Sequence, residues 1–293
     1  MSGHRTTARE LAVLGIAGAA CLFASYGWAQ DRVISSSPIV WIAGGEVSIG
    51  STDEELLRAV ELCGEDDALV GRTAGCGLEH FVHERPSRRA FVGTFGIDRT
   101  EVTNASYRAC VLAGACLPPE SREDDPRVSG GSMPVVGVSY ADAERYCAHA
   151  HGRVPTEEEW EKAARGDSDR TFPWGRLYGE GLANHGASPF RPDPADGFER
   201  LAPVGSFPAG ASPYGVLDLA GNVWEWTASR PRERDFLELG LPAIGSGMRI
   251  LRGGAFDHPV HTLRVTARLP FTPEALVAGD VGIRCVYDPS RSR

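Results

Sequence analysis

Positive charge is scarce in this chain of 293 residues. The 39 acidic residues outnumber the 30 lysines and arginines, so the formal net charge is −9 at pH 7, and Lys162 is the only lysine. No run of basic residues interrupts this balance. Binding to nucleic acid needs clustered positive charge, because it depends on contacts from lysine and arginine to phosphates. The composition therefore argues against a nucleic-acid partner.

The sequence also lacks an apolar segment long enough to predict a membrane span. The apolar stretch Leu11–Ala24 is short and rich in glycine and alanine, whereas a spanning helix needs about 20 apolar residues. Basic residues precede the stretch, and small residues follow it at Gly27 and Ala29. This pattern is typical of a cleaved export signal. We therefore predict a signal peptide over residues 1–29, a mature chain that begins near Gln30, and a periplasmic or secreted location.

Cys21 offers an alternative to simple cleavage. It follows Gly18-Ala19-Ala20, which resembles the cleavage box of a lipoprotein. Such boxes prefer a large aliphatic residue three positions before the cysteine, and Gly18 stands there instead. Lipid anchoring at Cys21 is therefore the less favoured alternative.

Six cysteines remain once the signal peptide is removed. An even number in an exported protein favours disulfides over free thiols or metal clusters. The sequence spacing suggests two short local loops and leaves one long-range pair. The expected pairs are Cys63 with Cys76, Cys110 with Cys116, and Cys147 with Cys285.

Hydroxyl residues mark where several helices are expected to begin. Thr103 and Ser139 are suitable N-caps, because their side-chain oxygens accept hydrogen bonds from the first free backbone N–H groups of a helix. Thr156 followed by Glu159 forms a capping box at the start of another helix. The apolar residues of segment 53–63 recur at helical spacing.

Short strands and many loops are expected between these helices. The chain has 35 glycines and 20 prolines, which indicates a loop-rich fold. Alternating patterns predict a pair of strands with a tight turn over 41–50 and a strand over 91–98. We predict a linker over residues 30–39, a single domain over 40–288, and a tail over 289–293.

Seven sequence motifs occur in an order that resembles one known family. They are Glu101-Val102-Thr103-Asn104, Pro134-Val135-Val136-Gly137-Val138-Ser139, Arg153–Glu161, Phe172-Pro173-Trp174-Gly175, Gly215–Trp226, Arg252-Gly253-Gly254 and Gly282-Ile283-Arg284-Cys285. Each motif is weak alone, but their order over most of the chain resembles the formylglycine-generating enzyme, or sulfatase-modifying factor, family. The resemblance implies a single compact α+β domain with little regular secondary structure, in an architecture related to C-type lectins. It also supports the long-range disulfide, because family members bridge matching positions.

The resemblance implies calcium as a structural cofactor at two sites. Calcium binds six to eight oxygens from carboxylates, amides and backbone carbonyls. The first implied set is Asn184, His185, Asp196 and Phe198, with the side chains of Asn184 and Asp196 and the carbonyls of the other two. The second implied set is Gly221, Asn222, Val223 and Glu225. The alternative for Asn222 and Glu225 is a polar turn that caps a buried pair of tryptophans.

The family's catalytic thiols are missing from this sequence. In catalytic members, two cysteines after the Gly-Gly pair bind copper and oxidise a cysteine of a sulfatase. Counted from Gly254, the corresponding positions are His258 and Leu263; counted back from Arg264, they are Ala255 and Val260. A thiolate is the metal ligand and the redox centre in this chemistry. We therefore expect a divergent member in which copper or another transition metal is disfavoured.

What replaces the thiols defines a candidate groove. Its expected residues are Trp224, Asp257, His258, His261, Arg264 and Arg268. Here a monomeric accessory domain would bind an unidentified protein, peptide or small molecule. The arginines are suited to a carboxylate or sulfate, although an internal ion pair is an equal interpretation of Arg268. The alternative hypothesis is an active oxidase, formylglycine-generating or otherwise metal-dependent, that uses residues such as His258 and His261.

Overall fold

The computed structural model describes residues 37–69, 71, 75–119, 125–188, 191–233, 235, 247–272 and 279–289. The predicted signal peptide, Cys21, most of the predicted linker and most of the predicted tail lie outside these residues. No helix in the described part of the chain has both the length and the apolar character to cross a membrane.

Regular structure is sparse and mixed, as expected for an α+β domain. The helices are α1 (Asp53–Leu69), α2 (Asn104–Leu112), α3 (Pro126–Ser129), α4 (Tyr140–His149) and α5 (Glu157–Arg165). The strands are β1 (Ile39–Ile42), β2 (Gly45–Ile49), β3 (Arg88–Val92), β4 (Phe95–Asp98), β5 (Gly186–Ser188), β6 (Arg191–Pro192), β7 (Trp224–Trp226), β8 (Arg249–Arg252), β9 (Arg268–Phe271), β10 (Val281–Gly282) and β11 (Val286–Tyr287).

The expected N-caps are in place at three helices. The side chains of Thr103, Ser139 and Thr156 accept hydrogen bonds from the backbone of α2, α4 and α5, respectively. The capping box between Thr156 and Glu159 is also formed. Since α5 contributes the fully buried Trp160, its capping box stabilises the first turn of a helix that supplies a core residue.

Helix α1 is longer than the sequence pattern predicted. It continues beyond Cys63, through Gly64, to Leu69. Its second half packs against the short 3₁₀ turn Val260–Leu263, and buried Asp66 accepts a hydrogen bond from the backbone N–H of His261 at 3.0 Å. Tertiary contact therefore overrides the low helix propensity of glycine here.

The pairing of the N-terminal strands differs from the prediction. β1 and β2 do not form a pair with each other; β1 pairs with β4 and β2 with β3, both antiparallel. The segment predicted as one strand over 91–98 is divided between β3 and β4. A short connection separates β1 from β2, and another separates β3 from β4. The two connections contact each other where Gly44 N donates to Thr94 Oγ1 at 2.9 Å. A side chain at Gly44 would collide with the backbone of Thr94, 2.9 Å away, so a glycine is required there.

A four-stranded sheet in the order β10-β7-β8-β9 carries the part of the fold that matters most for function. β7 pairs in parallel with β10 and antiparallel with β8. Trp224 and Trp226 of β7 belong to the largest hydrophobic cluster, which also contains Cys147 and Cys285. The sheet therefore joins the core directly to the segment that follows β8.

All three expected disulfides are present. The bonds join Cys63 to Cys76, Cys110 to Cys116, and Cys147 to Cys285. The last one links α4 to the segment before β11, and both of its cysteines are fully buried.

Removal of the Cys147–Cys285 disulfide is expected to destabilise the fold more than removal of the Cys110–Cys116 disulfide. The two bonds span 138 and 6 residues, which the chain-entropy relation converts to about 5 and about 2 kcal/mol. The measurement is the free energy of unfolding in urea for C147A/C285A and for C110A/C116A. Equal losses in the two double variants would contradict the expectation.

Candidate functional site

A cavity of about 560 Å³ lies beside the segment that follows Gly254. Five of the six predicted groove residues line it: Trp224, His258, His261, Arg264 and Arg268. Asp257 is behind His258, and its Oδ1 lies 3.0 Å from His258 Nδ1. The structure therefore brings the predicted groove residues together at one concave surface.

The Gly-Gly pair turns the chain from β8 towards this cavity. Gly253 and Gly254 have φ values of +104° and +77°, in the region that favours glycine. A Cβ on Gly254 would lie 2.7 Å from Leu263 Cδ2, and one on Gly253 would lie 3.3 Å from the Trp160 ring. These contacts explain why the motif needs two glycines even where no catalytic thiols follow it.

Arg264 is neutralised inside the protein. Its two terminal nitrogens donate to both oxygens of Glu84 at 2.9 and 2.6 Å, and each side chain of this pair is only 2% exposed. Burial alone would raise the pKa of Glu84, but the Arg264 guanidinium outweighs that effect and holds the pKa below its usual value. The guanidinium also lies 5.0 Å from the centre of the Phe81 ring. Arg264 thus forms a wall of the cavity and holds no unpaired charge for a ligand.

Arg268 also forms internal ion pairs. Its guanidinium donates to both oxygens of Glu157 at 2.9 and 2.7 Å, and to Asp235 at 2.7 Å. The prediction that these arginines bind a carboxylate or sulfate is therefore not supported for either residue. For Arg268, the internal ion pair that was the alternative interpretation is the one observed.

His261 is held by a carboxylate that sequence reasoning missed. Its Nδ1 lies 2.7 Å from Asp66 Oδ2, and the backbone N–H of His261 donates to the same oxygen. The His261 ring also meets Phe81 edge-on, with ring centres 5.9 Å apart. Asp66 lies in the part of α1 beyond the segment 53–63 for which helical spacing was noted. A recognised helical continuation would have placed it on the same face as Leu62.

His258 has a different set of partners from His261. Its Nδ1 lies 3.0 Å from Asp257 Oδ1 and 3.8 Å from Asp280 Oδ2, and its ring contacts Trp224 edge-on with centres 5.6 Å apart. Burial and the nearby Asp257 charge raise the pKa of Asp280 to about 6, while His258 opposes this shift. Asp280 was also missed, since no local pattern connects it with the segment after Gly254.

No thiol replaces the missing catalytic cysteines among the described residues that line the cavity. Cys63 and Cys76 line it, but they are joined in a disulfide. Of the four positions that could correspond to the catalytic cysteines, Leu263, Ala255 and Val260 are buried apolar residues. His258 alone of the four has a side chain that can bind a metal ion or transfer a proton.

The first implied calcium set lies together in the structure. Asp196 accepts hydrogen bonds from the backbone N–H groups of His185 and Phe198, both at 2.9 Å. The Asn184 amide group donates to the Arg200 carbonyl at 2.8 Å. Burial raises the pKa of Asp196, although the two backbone hydrogen bonds and the His185 ring oppose this shift. One carboxylate with nearby amide and carbonyl oxygens fits the donor chemistry of calcium.

The second implied set does not fit a calcium ion as it stands. Both carboxylate oxygens of Glu225 accept hydrogen bonds from Arg284, at 2.6 to 3.0 Å, and one of them also accepts from Trp160 Nε1 at 2.6 Å. The Asn222 side-chain oxygen accepts from Asn184 and from the backbone of Ala202. The side-chain oxygens that would bind calcium therefore already accept hydrogen bonds from other residues of the protein. This agrees with the alternative of a polar turn that caps buried tryptophans.

The substitution Glu225→Gln is expected to lower the free energy of unfolding by about 3–5 kcal/mol, because it leaves the Arg284 charge buried without a partner. Glu46→Gln is the matched control, since Glu46 pairs with Arg89 at the surface and both side chains are more than 60% exposed. That change should cost less than about 1 kcal/mol. Chemical denaturation of both variants provides the measurement, and similar losses in the two would contradict the structural role of Glu225.

Comparisons with known proteins identify the family of the chain. The model of the family described as "Sulfatase-modifying factor enzyme 1-like domain" matches residues 28–289. The mouse protein named "Inactive C-alpha-formylglycine-generating enzyme 2" is 40% identical over 169 residues, which are 55% of this chain and 51% of the mouse protein. The "Formylglycine-generating enzyme" of Mycobacterium tuberculosis is 36% identical over 197 residues, 61% of this chain and 65% of that enzyme.

A solved structure supports the same fold. PvdO from Pseudomonas aeruginosa superposes with a TM-score of 0.62 at 24% identity, over 85% of this chain and 93% of that one. The chain spans about half to two thirds of the length of the two curated relatives named above. The family model covers nearly all of the described residues. The chain therefore belongs to the sulfatase-modifying factor family, the family of the formylglycine-generating enzymes.

Proposed function

We propose that this chain is a ligand-binding member of the family that does not generate formylglycine. The proposal is based on the residues that line the cavity. His258 stands after the Gly-Gly pair, and the two cysteines in the lining are joined in a disulfide. Thiolate chemistry has no free thiol in this part of the structure. The relative named as inactive supports the view that the family fold is also used without the oxidase activity.

The cavity is suited to a neutral or positively charged group of the ligand. Both arginines in its wall are neutralised by Glu84, Glu157 and Asp235, as described above. The groups that remain at the surface are the His258 and His261 imidazoles, with aspartates behind them, and aromatic rings. A volume of about 560 Å³ suits a small molecule or one or two side chains of a peptide. A basic or aromatic segment of a protein is therefore the favoured ligand class.

The two histidines are better explained as binding residues than as a catalytic pair. His261 is held by Asp66, and His258 by Asp257 and Asp280. They therefore belong to two separate charge clusters, which does not favour the alternative in which both act together in an oxidase.

Export remains part of the proposal. Three disulfides are typical of proteins that fold in an oxidising compartment. This supports the predicted signal peptide over residues 1–29 and a periplasmic or secreted domain.

A sulfatase-type peptide with a Cys-x-Pro-x-Arg motif should not be oxidised by the purified chain, with or without added copper. The reason is the absence of a free thiol pair after Gly254. The measurement is the mass of the peptide after incubation in air, and the Mycobacterium tuberculosis formylglycine-generating enzyme serves as the positive control. Formation of the aldehyde product by this chain would overturn the proposal in favour of the oxidase alternative.

Calcium is proposed at the first set only, and the substitution Asp196→Asn is expected to abolish its stabilising effect. Calcium that binds the folded state alone stabilises it by about 2.7 kcal/mol at a hundredfold excess over Kd. Asp193→Asn is the matched control, because Asp193 caps the same short turn through Ala195 and lies outside the set. The melting temperature, with and without calcium after treatment with a chelator, should rise in the wild type and in Asp193→Asn. An equal rise in Asp196→Asn would contradict the site.

A further inference from the structure

Four buried acidic residues in this protein each form an ion pair with a buried arginine. Glu84 pairs with Arg264, Glu161 with Arg252, Glu225 with Arg284, and Asp235 with Arg268. In each pair, both side chains are at most 6% exposed. A buried carboxylate without a cation is costly, so this regularity has a clear physical basis.

Asp257 and Asp280 have no arginine partner among the ion pairs of the described residues. Their side chains are only 15% and 13% exposed, and the one partner that these ion pairs give them is His258, which is 11% exposed. Two carboxylates therefore face one imidazole, and a cation between them would offset the repulsion of the two carboxylates.

The three side chains offer the ligand atoms of a metal site. One atom from each of Asp257, His258 and Asp280 lies within 4.8 Å of the other two. The His258 Nδ1 atom lies 3.0 Å from Asp257 Oδ1 and 3.8 Å from Asp280 Oδ2. Metal–nitrogen and metal–oxygen bonds of about 2.0–2.2 Å place neighbouring ligand atoms about 3–3.5 Å apart. The observed distances thus need only small side-chain rotations.

Backbone hydrogen bonds hold the segments that carry these side chains. His258 N donates to Ala255 O at 3.0 Å, and Gly186 N of β5 donates to His258 O at 2.7 Å. Trp224 N of β7 donates to Asp280 O at 2.8 Å. The segments that carry His258 and Asp280 are therefore held by β5 and β7, respectively, and the ligand atoms are positioned in advance.

An independent observation points to a bound group at the same place. Trp224 is 3% exposed and lines the cavity beside His258, yet its indole Nε1 has no hydrogen-bond acceptor within the described structure. A buried donor without an acceptor is costly, because the N–H group has lost its hydrogen bond to water and has gained none in return. A water or ligand atom on a cation at His258 would supply an acceptor in this region.

We propose that Asp257, His258 and Asp280 bind one divalent transition-metal ion at the edge of the cavity. One imidazole nitrogen and two carboxylate oxygens suit Mn²⁺, Fe²⁺, Co²⁺ or Zn²⁺, and three protein ligands leave coordination positions free for water or a further ligand. The site revises the expectation that a transition metal is disfavoured, which was based on the missing thiols. It does not depend on which ligand the cavity binds.

Titration with Co²⁺ after chelator treatment tests the site. Calcium is kept in excess so that the proposed calcium site does not contribute. Isothermal calorimetry of the wild type should give one Co²⁺ per chain. Asp280→Asn and His258→Gln should each weaken binding by about tenfold or more, because each removes a ligand. His261→Gln is the control, since His261 pairs with Asp66 and stays outside the group.

The outcomes separate the alternatives. Absence of Co²⁺ binding to the wild type would overturn the proposal. Binding that is unchanged in Asp280→Asn and His258→Gln, or that is lost in His261→Gln, would overturn the ligand assignment. Circular dichroism shows whether each variant is folded. Crystals soaked in Mn²⁺ should give an anomalous peak between the three side chains, and a peak elsewhere alone would also contradict the site.

Discussion

The buried ion pair between Glu225 and Arg284 is the interaction on which the rest of the structure depends. Both side chains are fully buried, and the pair joins β7 to the segment between β10 and β11. Arg284 also donates to the carbonyls of Asp98 and Leu217, and Glu225 accepts from the Trp160 indole. A single guanidinium thus fixes the ends of several otherwise irregular segments. In a fold with few long elements, this network replaces much of the order that a large sheet would provide.

The same principle explains the preference for arginine. A guanidinium presents a planar fork that binds both oxygens of a carboxylate, whereas an ammonium group acts as a point charge. The pairs of Arg264 with Glu84 and of Arg268 with Glu157 use this fork to close the cavity wall. Lysine would leave part of each carboxylate without a donor. The use of arginine in place of lysine therefore suits the buried ion pairs of this fold.

Sequence reasoning reached the features that depend on local chemistry. The helix caps at Thr103, Ser139 and Thr156 involve residues within one turn, so a short motif suffices to predict them. The order of the motifs was enough to identify the family. The groove followed from the position of the Gly-Gly pair.

The features that sequence reasoning predicted wrongly or missed depend on contacts between distant segments. The strands β1 and β2 pair with β4 and β3, respectively, and not with each other. The extension of α1 depends on its contact with the turn that carries His261. The pairing of Arg264 with Glu84 joins residues 180 positions apart, and no local pattern reveals it. Asp280 reaches His258 only through the parallel pairing of β10 with β7.

The position of Trp224 in the main hydrophobic cluster has a consequence for the kinetics of binding. Its ring is both a wall of the cavity and a member of the cluster that contains the Cys147–Cys285 bond. This wall is as rigid as the interior of the protein, and it cannot adapt to a ligand without disturbing close packing. Under the proposed ligand-binding function, recognition at this wall would be of the preformed kind, with a low entropic penalty for ordering the protein.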